Sequence, residues 1–243
     1  MELICSISNP ISILYQYEYH IDDMDILGYL NDDGIKIEPE YYVPILPMVL
    51  INGSIGIGTG FSTNIPAYNP KDVINNLKRI LNGEELKPMT PWYKNFKGTN
   101  ENGVSKGVYK KISNTKIEVS ELPIGYWTED FKTHIENMME KYPKNIKEYE
   151  SHYTEKDVKF ILTMCSKNIL DEYLEYDETK KMTKFEHEFK LTSTRYLNTN
   201  NMHLYTADGH IKKYETELDI LKDFYKVRHD YYVKRKNYKI KKL

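Results

Sequence analysis

"INGSIGIGTGFSTNIP", residues 51–66, places four glycines within eight positions and then reaches an Ile-Pro step. Glycine at this density is typical either of a phosphate-binding loop or of a chain that turns tightly against another segment. A P-loop requires Lys and then Ser or Thr after its last glycine, but Gly60 is followed by Phe61. The third glycine of a dinucleotide fingerprint would fall on Phe61 or Thr63. The stretch therefore predicts a glycine-rich turn.

The composition predicts an intracellular globular protein. Of the 243 residues, 40% are hydrophobic and 29% are charged, and this length is enough to bury a real core. The apolar runs are far shorter than the roughly 18 residues of a membrane span, so no membrane association is expected. The first residues lack the pattern of a secretory signal. Cys5 and Cys165 have no C-x-x-C partner, which favours inert thiols over a zinc site or a disulfide.

Charge is distributed unevenly along the chain, although the formal net charge is only −2. Residues 1–40 hold nine acids and one base, whereas residues 226–243 hold eight bases and one acid. Such a basic tail can dock on nucleic acid by neutralising phosphates. It is more often a solvated helix face, so the charge pattern alone is a weak indication of a nucleic-acid partner.

Three helices are marked by their own signals. The first is expected to begin at Pro70, after the N-cap Asn69, and to end before Gly83. The second begins at about Thr128, with acids in its first turn. The third is long and runs from about Glu215 to the end of the chain. "NILDEYLEY" is also expected to be helical, and "DILGYLNDDG" is interpreted as the end of a helix.

The remaining patterns are typical of short antiparallel strands. "WYKNFKGT", "GVYKKIS" and "TKIEVSEL" alternate and are separated by turn residues, which indicates a small sheet. "DVKFILTM" predicts a strand, and "MHLYTADGHIKKY" predicts a hairpin with Asp-Gly in its turn. The proline-rich run "IEPEYYVPILPMVLI" is interpreted as an extended entry into a strand. Helices and antiparallel strands together indicate an α+β fold.

The last helix carries an apolar seam at steps of four and three residues, with Arg228 in one slot. The other members are Tyr214, Leu218, Leu221, Tyr225 and Tyr232. A seam of this kind suits a partner helix or the base of a coiled coil.

Together with its flanks, the glycine-rich stretch resembles part of the eukaryotic and viral type IIA DNA topoisomerases. "IEPEYYVPILPMVLINGSIGIGTGFSTNIPAYNP" is similar, nearly position for position, to the segment that leads from their winged-helix domain into their tower domain. The similarity continues at "PWYKNFKGT", "KIEVSELPIGYWTEDFK", "VKFILTM", "FKLTST" and "HIKKYETELDILKDFYKVRHDYYVKRK". It covers roughly residues 26–238 in the order of the family.

The resemblance implies three segments. Residues 1–42 would be a remnant of the winged-helix exit with a linker, and residues 43–213 would be the tower domain. Residues 214–243 would begin the coiled coil that leads to the lower gate. The implied fold is α+β, with a tower-like mixed or antiparallel sheet, packed helices and a long terminal coiled-coil helix.

The resemblance also implies DNA-binding residues. In the family an isoleucine from each of two subunits wedges between base pairs and holds a sharply bent duplex. By its setting in "STNIP", Ile65 resembles that wedge and Pro66 follows it; the alternative is an ordinary apolar loop residue. A branched apolar side chain can unstack a base step at a cost of about a few kcal/mol, which is offset because bent DNA contacts more protein surface.

Trp127, in "LPIGYWT", resembles a tryptophan of the family that contacts DNA, although a core tryptophan under the helix is an equal alternative. Many relatives have Arg where this chain has Gly125, so one cationic contact is expected to be missing. Lys94 and Lys97, in "YKNFKGT", are weaker candidates for phosphate contacts, since exposed lysines between strands are common.

The residues of DNA cleavage are not expected in this chain. The family cuts DNA with a tyrosine directly preceded by arginine, upstream of this stretch, and no Arg precedes Asp23 here. The one Arg-Tyr pair, Arg195 and Tyr196, follows "FKLTST" and is interpreted as structural. No catalytic or metal-binding residue is therefore assigned, and ATP and magnesium would belong to the complete enzyme.

The function implied by the resemblance is to bind and bend DNA in the cleavage and religation core of an ATP-dependent type II topoisomerase. The partners would be double-stranded DNA, the remainder of the polypeptide and a second copy in a homodimer, in the nucleus or a viral factory. One alternative is a non-catalytic, DNA-bending architectural protein derived from such an enzyme. Another is an interaction protein that retains a dimer seam and has lost DNA binding.

Overall fold

The structure is a computed structural model that describes residues 19–58 and 60–243. The chain forms two compact units. The first comprises Met1–Trp92 and Thr199–Leu243, and the second comprises Tyr93–Asn198. These boundaries differ from the three segments suggested by the resemblance, because the chain leaves the first unit and later returns to it. The division into a winged-helix remnant, a tower domain and the start of a coiled coil remains a prediction.

In its described residues, the first unit contains three two-stranded antiparallel hairpins, three helices and a 3-10 turn at Ile21–Asp23. Its strands are β1 (Tyr29–Asp32) with β2 (Ile35–Pro39), β3 (Ser54–Ile57) with β4 (Ser62–Ile65), and β14 (Met202–Tyr205) with β15 (Ile211–Tyr214). Its helices are α1 (Met48–Asn52), α2 (Pro70–Asn82) and α6 (Glu217–Lys242). The core of the unit is made chiefly of Leu50, Ile65, Tyr68, Val73, Met202 and Leu221.

The second unit contains two larger antiparallel sheets and three helices. The strands are β5 (Thr99–Glu101), β6 (Val104–Lys106), β7 (Val108–Lys111), β8 (Lys116–Glu121), β9 (Ile146–Ser151), β10 (Phe160–Met164), the short pair β11 (Tyr176–Asp177) and β12 (Met182–Thr183), and β13 (Thr192–Ser193). One sheet has the order β7-β8-β10-β9 and the other β13-β6-β5. The helices are α3 (Thr128–Lys141), α4 (Lys167–Tyr173) and α5 (Lys184–Glu188). Phe131, Phe160, Phe185 and Phe189 are fully buried in its core.

The α+β class and the three marked helices are confirmed. In α2, the Asn69 side chain accepts a hydrogen bond from the Lys71 amide at 3.0 Å, and Gly83 ends the helix in a left-handed conformation. The terminal helix begins at Glu217 rather than Glu215, because Thr216 is its N-cap. Among the described helices, none is long and apolar enough to cross a lipid bilayer.

Two local predictions in the first unit are wrong. "DILGYLNDDG" forms strand β1 and the turn into β2, because Asp33 (φ 48°) and Gly34 (φ 87°) form a tight hairpin turn. The run "IEPEYYVPILPMVLI", interpreted as an extended entry into a strand, is helical at its end: residues 37–39 lie in β2, but the short helix α1 occupies Met48–Asn52. A brief apolar run does not distinguish a buried strand from a buried helical turn.

The apolar seam of α6 is partly covered by its own unit. Leu221 is fully buried, and Arg228 is buried with its Nη1 2.6 Å from Oδ2 of Asp23 and 3.2 Å from the Val43 carbonyl oxygen. Arg235 reaches the other carboxylate oxygen of Asp23 at 3.2 Å. Tyr232 stays 38% exposed. This face of α6 therefore contacts Asp23 and Val43 of its own unit.

Candidate nucleic-acid interface

The glycine-rich stretch forms a hairpin with an apolar tip. Strands β3 and β4 pair antiparallel, with Ser54 opposite Ile65 at the base and Ile57 opposite Ser62 near the turn. The Gly58 amide donates to the Phe61 carbonyl oxygen at 2.8 Å and closes the loop. The loop conformation includes a positive φ that an L side chain rarely adopts, 86° at Gly60. The tight turn predicted for this stretch is present.

Alternation of side chains gives the hairpin one buried face and one exposed face. Ile65 and Thr63 lie on the buried face, and Ile65 is only 1% exposed. Ile55 and Ile57 lie on the opposite face and are 61% and 92% exposed. Phe61 in the loop is 54% exposed. The tip therefore presents a group of apolar side chains to the surroundings.

The burial of Ile65 does not fit the role of a wedge between base pairs. Its side chain belongs to the core of the first unit, and Pro66 is also buried. A residue that inserts into DNA must project beyond the protein surface, which Ile65 could do only by leaving the core. Ile57 has the same side chain, lies beside the turn of the same hairpin and is almost fully exposed. The pairing register, which the sequence did not reveal, separates the two isoleucines.

The base of the hairpin is fixed on both of its edges. Gly53 (φ 70°) joins α1 to β3, and a Cβ placed on it would lie 2.8 Å from the Ile65 carbonyl oxygen. On the other edge, the Asn64 amide donates to the Asn201 carbonyl oxygen at 2.8 Å. The His203 amide donates to Thr63 Oγ1 at 3.2 Å. The tip is thus carried by a base that is bonded to the rest of the unit.

Trp127 lies at the surface of the second unit. It is the N-cap residue of α3 and is 70% exposed, which rules out the alternative of a core tryptophan. The neighbouring Tyr126 is oriented differently, because its ring packs edge-on against Phe131. Burial raises the pKa of Tyr126 to about 12, and the nearby Asp130 carboxylate makes a smaller contribution in the same direction. Trp127 is therefore the residue of this pair that is available to a partner.

The two candidate lysines differ in their surroundings. Lys97 Nζ lies 2.9 Å from Oδ1 of Asp157, and this hydrogen bond raises the pKa of Lys97. Lys94 is exposed. A phosphate contact by Lys97 would compete with Asp157, so Lys94 is the better candidate of the two. Both lysines and Trp127 belong to the second unit, whereas Ile57 belongs to the first.

The one Arg-Tyr pair lies beside the loop that precedes α3. The Tyr196 ring packs directly on Gly125, two residues before Trp127. Local sequence patterns give no indication of this contact, because Gly125 and Tyr196 are 71 positions apart in the chain. The pair is thus close to a candidate DNA-binding residue.

The comparisons with known proteins agree with the sequence motifs. Residues 11–243 match the family model of the A-type subunit of DNA gyrase/topoisomerase IV. The chain is 40% identical over 232 residues to DNA topoisomerase 2 of Arabidopsis thaliana, a match that covers 91% of this chain and 15% of that protein. It is 43% identical over 225 residues to DNA topoisomerase 2-alpha of Mus musculus, covering 89% of this chain and 14% of that protein.

A solved structure shares the fold as well as the sequence. It is the DNA-binding, cleavage and re-ligation domain of Plasmodium falciparum topoisomerase II, with a TM-score of 0.84 and 42% identity. The match covers 94% of this chain and 31% of that one. The chain thus spans about a seventh of the length of these two curated relatives. From its motifs, its fold and these similarities, we conclude that the chain belongs to the DNA gyrase/topoisomerase IV family and is related to the type IIA DNA topoisomerases.

Proposed function

We propose that this chain binds and bends duplex DNA as part of the cleavage and religation core of a type II DNA topoisomerase. The observation that carries the proposal is the exposed Ile57 at the tip of a hairpin whose base is fixed. A side chain held in this way can enter a base step without a loss of core packing. Unstacking one step costs about a few kcal/mol, and the additional contacts made by a bent duplex offset it.

The surroundings of Ile57 support a nucleic-acid partner. Single exposed apolar residues are common on protein surfaces, but Ile55, Ile57 and Phe61 are all more than half exposed on one short hairpin. A narrow hairpin tip fits a DNA groove better than a broad apolar face would, since the minor groove is only about 6 Å wide. We assign the wedge role to Ile57 and a supporting role to the neighbouring apolar side chains.

The complete enzyme would supply what this chain is not expected to contribute. The remaining polypeptide, a second copy in a homodimer, ATP and magnesium are the partners and cofactors that the family relationship suggests. Work on DNA would place the protein in a nucleus or a viral factory. In this proposal the chain positions and bends the duplex, and other parts of the enzyme cut and reseal it.

The catalytic part of the proposal has its own test. We expect the chain alone, with supercoiled plasmid, ATP and magnesium, neither to relax nor to cleave the DNA. Tyr196 is the tyrosine that directly follows an arginine, so Tyr196→Phe is the informative variant. Relaxation by the wild-type chain that disappears in this variant would overturn the assignment of cleavage to other parts of the enzyme.

The bending part is tested by fluorescence energy transfer across a duplex of about 30 base pairs labelled at both ends, because bending shortens the end-to-end distance. Binding of the chain is expected to weaken with salt and to raise the transfer efficiency. A duplex that is bound but stays straight would contradict bending and leave only DNA binding. A chain that does not bind the duplex would contradict the whole proposal.

A further inference from the structure

The loop before α3 has no room for a side chain at position 125. Gly125 has a φ of 79°, and a Cβ built on it would lie 1.7 Å from Cε2 and 2.1 Å from Cδ2 of Tyr196. Any other residue would overlap the aromatic ring and would also adopt a strained backbone conformation. Gly125 and Tyr196 therefore form one packed unit, in which the ring occupies the space that an arginine at 125 would need.

Strand β6 brings these two loops together. The Ile124 amide donates to Ser105 Oγ at 3.0 Å, which ties the loop before α3 to β6. Ser193 of β13 pairs with the same Ser105. Leu197, directly after Tyr196, is buried at 3% exposure and anchors the far side of its loop. The pairing of β13 with β6 and the burial of Leu197 therefore hold the two loops in contact.

A guanidinium stacks on the same Tyr196 ring. Arg195 is exposed, and its Cζ lies 5.5 Å from the centre of the Tyr196 ring. An arginine on an aromatic face is partly ordered, and a planar guanidinium has the geometry that recognises a phosphate. Trp127, two residues after Gly125, is exposed on the same loop. A cation and an amphipathic ring are therefore exposed on two loops that touch at Gly125 and Tyr196.

Helix α3, which follows the Gly125 loop, has no positively charged side chain in its first turn. Glu129 and Asp130 occupy the first turn of α3 and already compensate the positive end of the helix dipole. Tyr153 also donates its hydroxyl hydrogen to Glu129. A phosphate beside Trp127 would therefore need a positive side chain from another segment, and Arg195 lies on the adjacent loop.

We propose that Arg195, stacked on Tyr196, binds a backbone phosphate of the duplex next to Trp127. It takes the place of the cation that the loop before α3 cannot carry at Gly125. This inference rests on the proposed function, because it assumes that duplex DNA is the partner. It assigns a binding role to an Arg-Tyr pair that the sequence interpretation treated as structural.

The test is the salt dependence of binding to a duplex of about 30 base pairs, measured by fluorescence anisotropy between about 50 and about 200 mM salt. One phosphate contact contributes about 0.9 to the slope of log K against log salt, or about 3.5-fold in affinity over this range. Arg195→Gln is expected to lower the slope by about that amount. Arg195→Lys keeps the charge and is expected to keep the slope while binding more weakly, because the planar stacked donor is lost.

Lys144→Gln is the matched control. It removes one exposed positive charge in the same unit, beyond the C-terminal end of α3 and therefore about 20 Å from the Trp127 end of the helix. This variant is expected to keep the wild-type slope. Thermal unfolding of all three variants should match the wild type, since the replaced side chains are exposed or lie at the surface.

The outcomes separate this inference from the proposed function. If the wild type binds the duplex and Arg195→Gln keeps its slope, the role of Arg195 is wrong and the proposed function stands. An equal loss in Lys144→Gln would also overturn it, because the effect would then be one of net charge alone. If the wild type does not bind the duplex, both proposals are contradicted.

Discussion

Ile57 and Ile65 lie on opposite faces of one hairpin, the first next to its turn and 92% exposed, the second at its base and 1% exposed. Ile65 pairs with Ser54 and Ile57 pairs with Ser62, so the alternation of side chains along the strands is sufficient to separate them. One isoleucine fastens the hairpin to the core, and the other is available to a partner.

The close approach at Gly53 predicts a large loss of stability on substitution. Gly53→Ala should lower the free energy of unfolding by about 3 kcal/mol, because the backbone conformation is strained for alanine and the new Cβ meets the Ile65 carbonyl oxygen. Gly60→Ala is the control, since Gly60 also has a positive φ but nothing lies within 4 Å of its Cβ position. It should cost about 1 kcal/mol. Equal shifts in urea denaturation would contradict the steric role of Gly53.

The buried ion pair between Asp23 and Arg228 predicts a second stability effect. Asp23→Asn would leave the guanidinium buried without its counter-charge, and should cost about 3–5 kcal/mol in the free energy of unfolding. Asp22→Asn removes an exposed contact with Lys239 and should leave the urea midpoint nearly unchanged. Similar midpoints for the two variants would show that the buried pair does not hold α6 to the segment around Asp23.

Trp127 offers a direct optical test of DNA contact. The protein has two tryptophans, so Trp92→Phe leaves Trp127 as the sole source of tryptophan emission. Duplex DNA should quench its emission and reduce its accessibility to acrylamide, because a base or phosphate covers the exposed ring. The reciprocal variant, Trp127→Phe, should show a much smaller change. An unchanged Trp127 signal at saturating DNA would exclude the contact.

Capping and turn residues in the sequence predict the elements whose ends they mark. Helix α2 was predictable because Asn69, Pro70 and Gly83 mark its two ends. The Asp33-Gly34 turn is an equally local signal, but it is compatible with a helix end as well as with the β1–β2 hairpin that the chain forms. The short helix α1 was missed because its apolar run has no periodicity long enough to distinguish helix from strand.

The candidate site depends on a strand register and on a contact between two loops, and sequence patterns show neither of them. The setting of Ile65 in a motif predicts that it is the wedge, whereas exposure follows from the strand register that places Ile57 on the outer face. The contact of Tyr196 with Gly125 joins two loops through their shared attachment to Ser105. Only the three-dimensional structure shows these contacts.

The most direct test of the account compares the two isoleucines in one bending experiment. Energy transfer across an end-labelled duplex of about 30 base pairs would be measured with Ile57→Ala and with Ile65→Val. Ile57→Ala should reduce the bend and keep the salt dependence of binding, because no charge is removed. Ile65→Val should bend DNA as the wild type does and lose about 1 kcal/mol of stability. Wild-type transfer with Ile57→Ala, or a lost bend with Ile65→Val, would contradict the assignment of the wedge to Ile57.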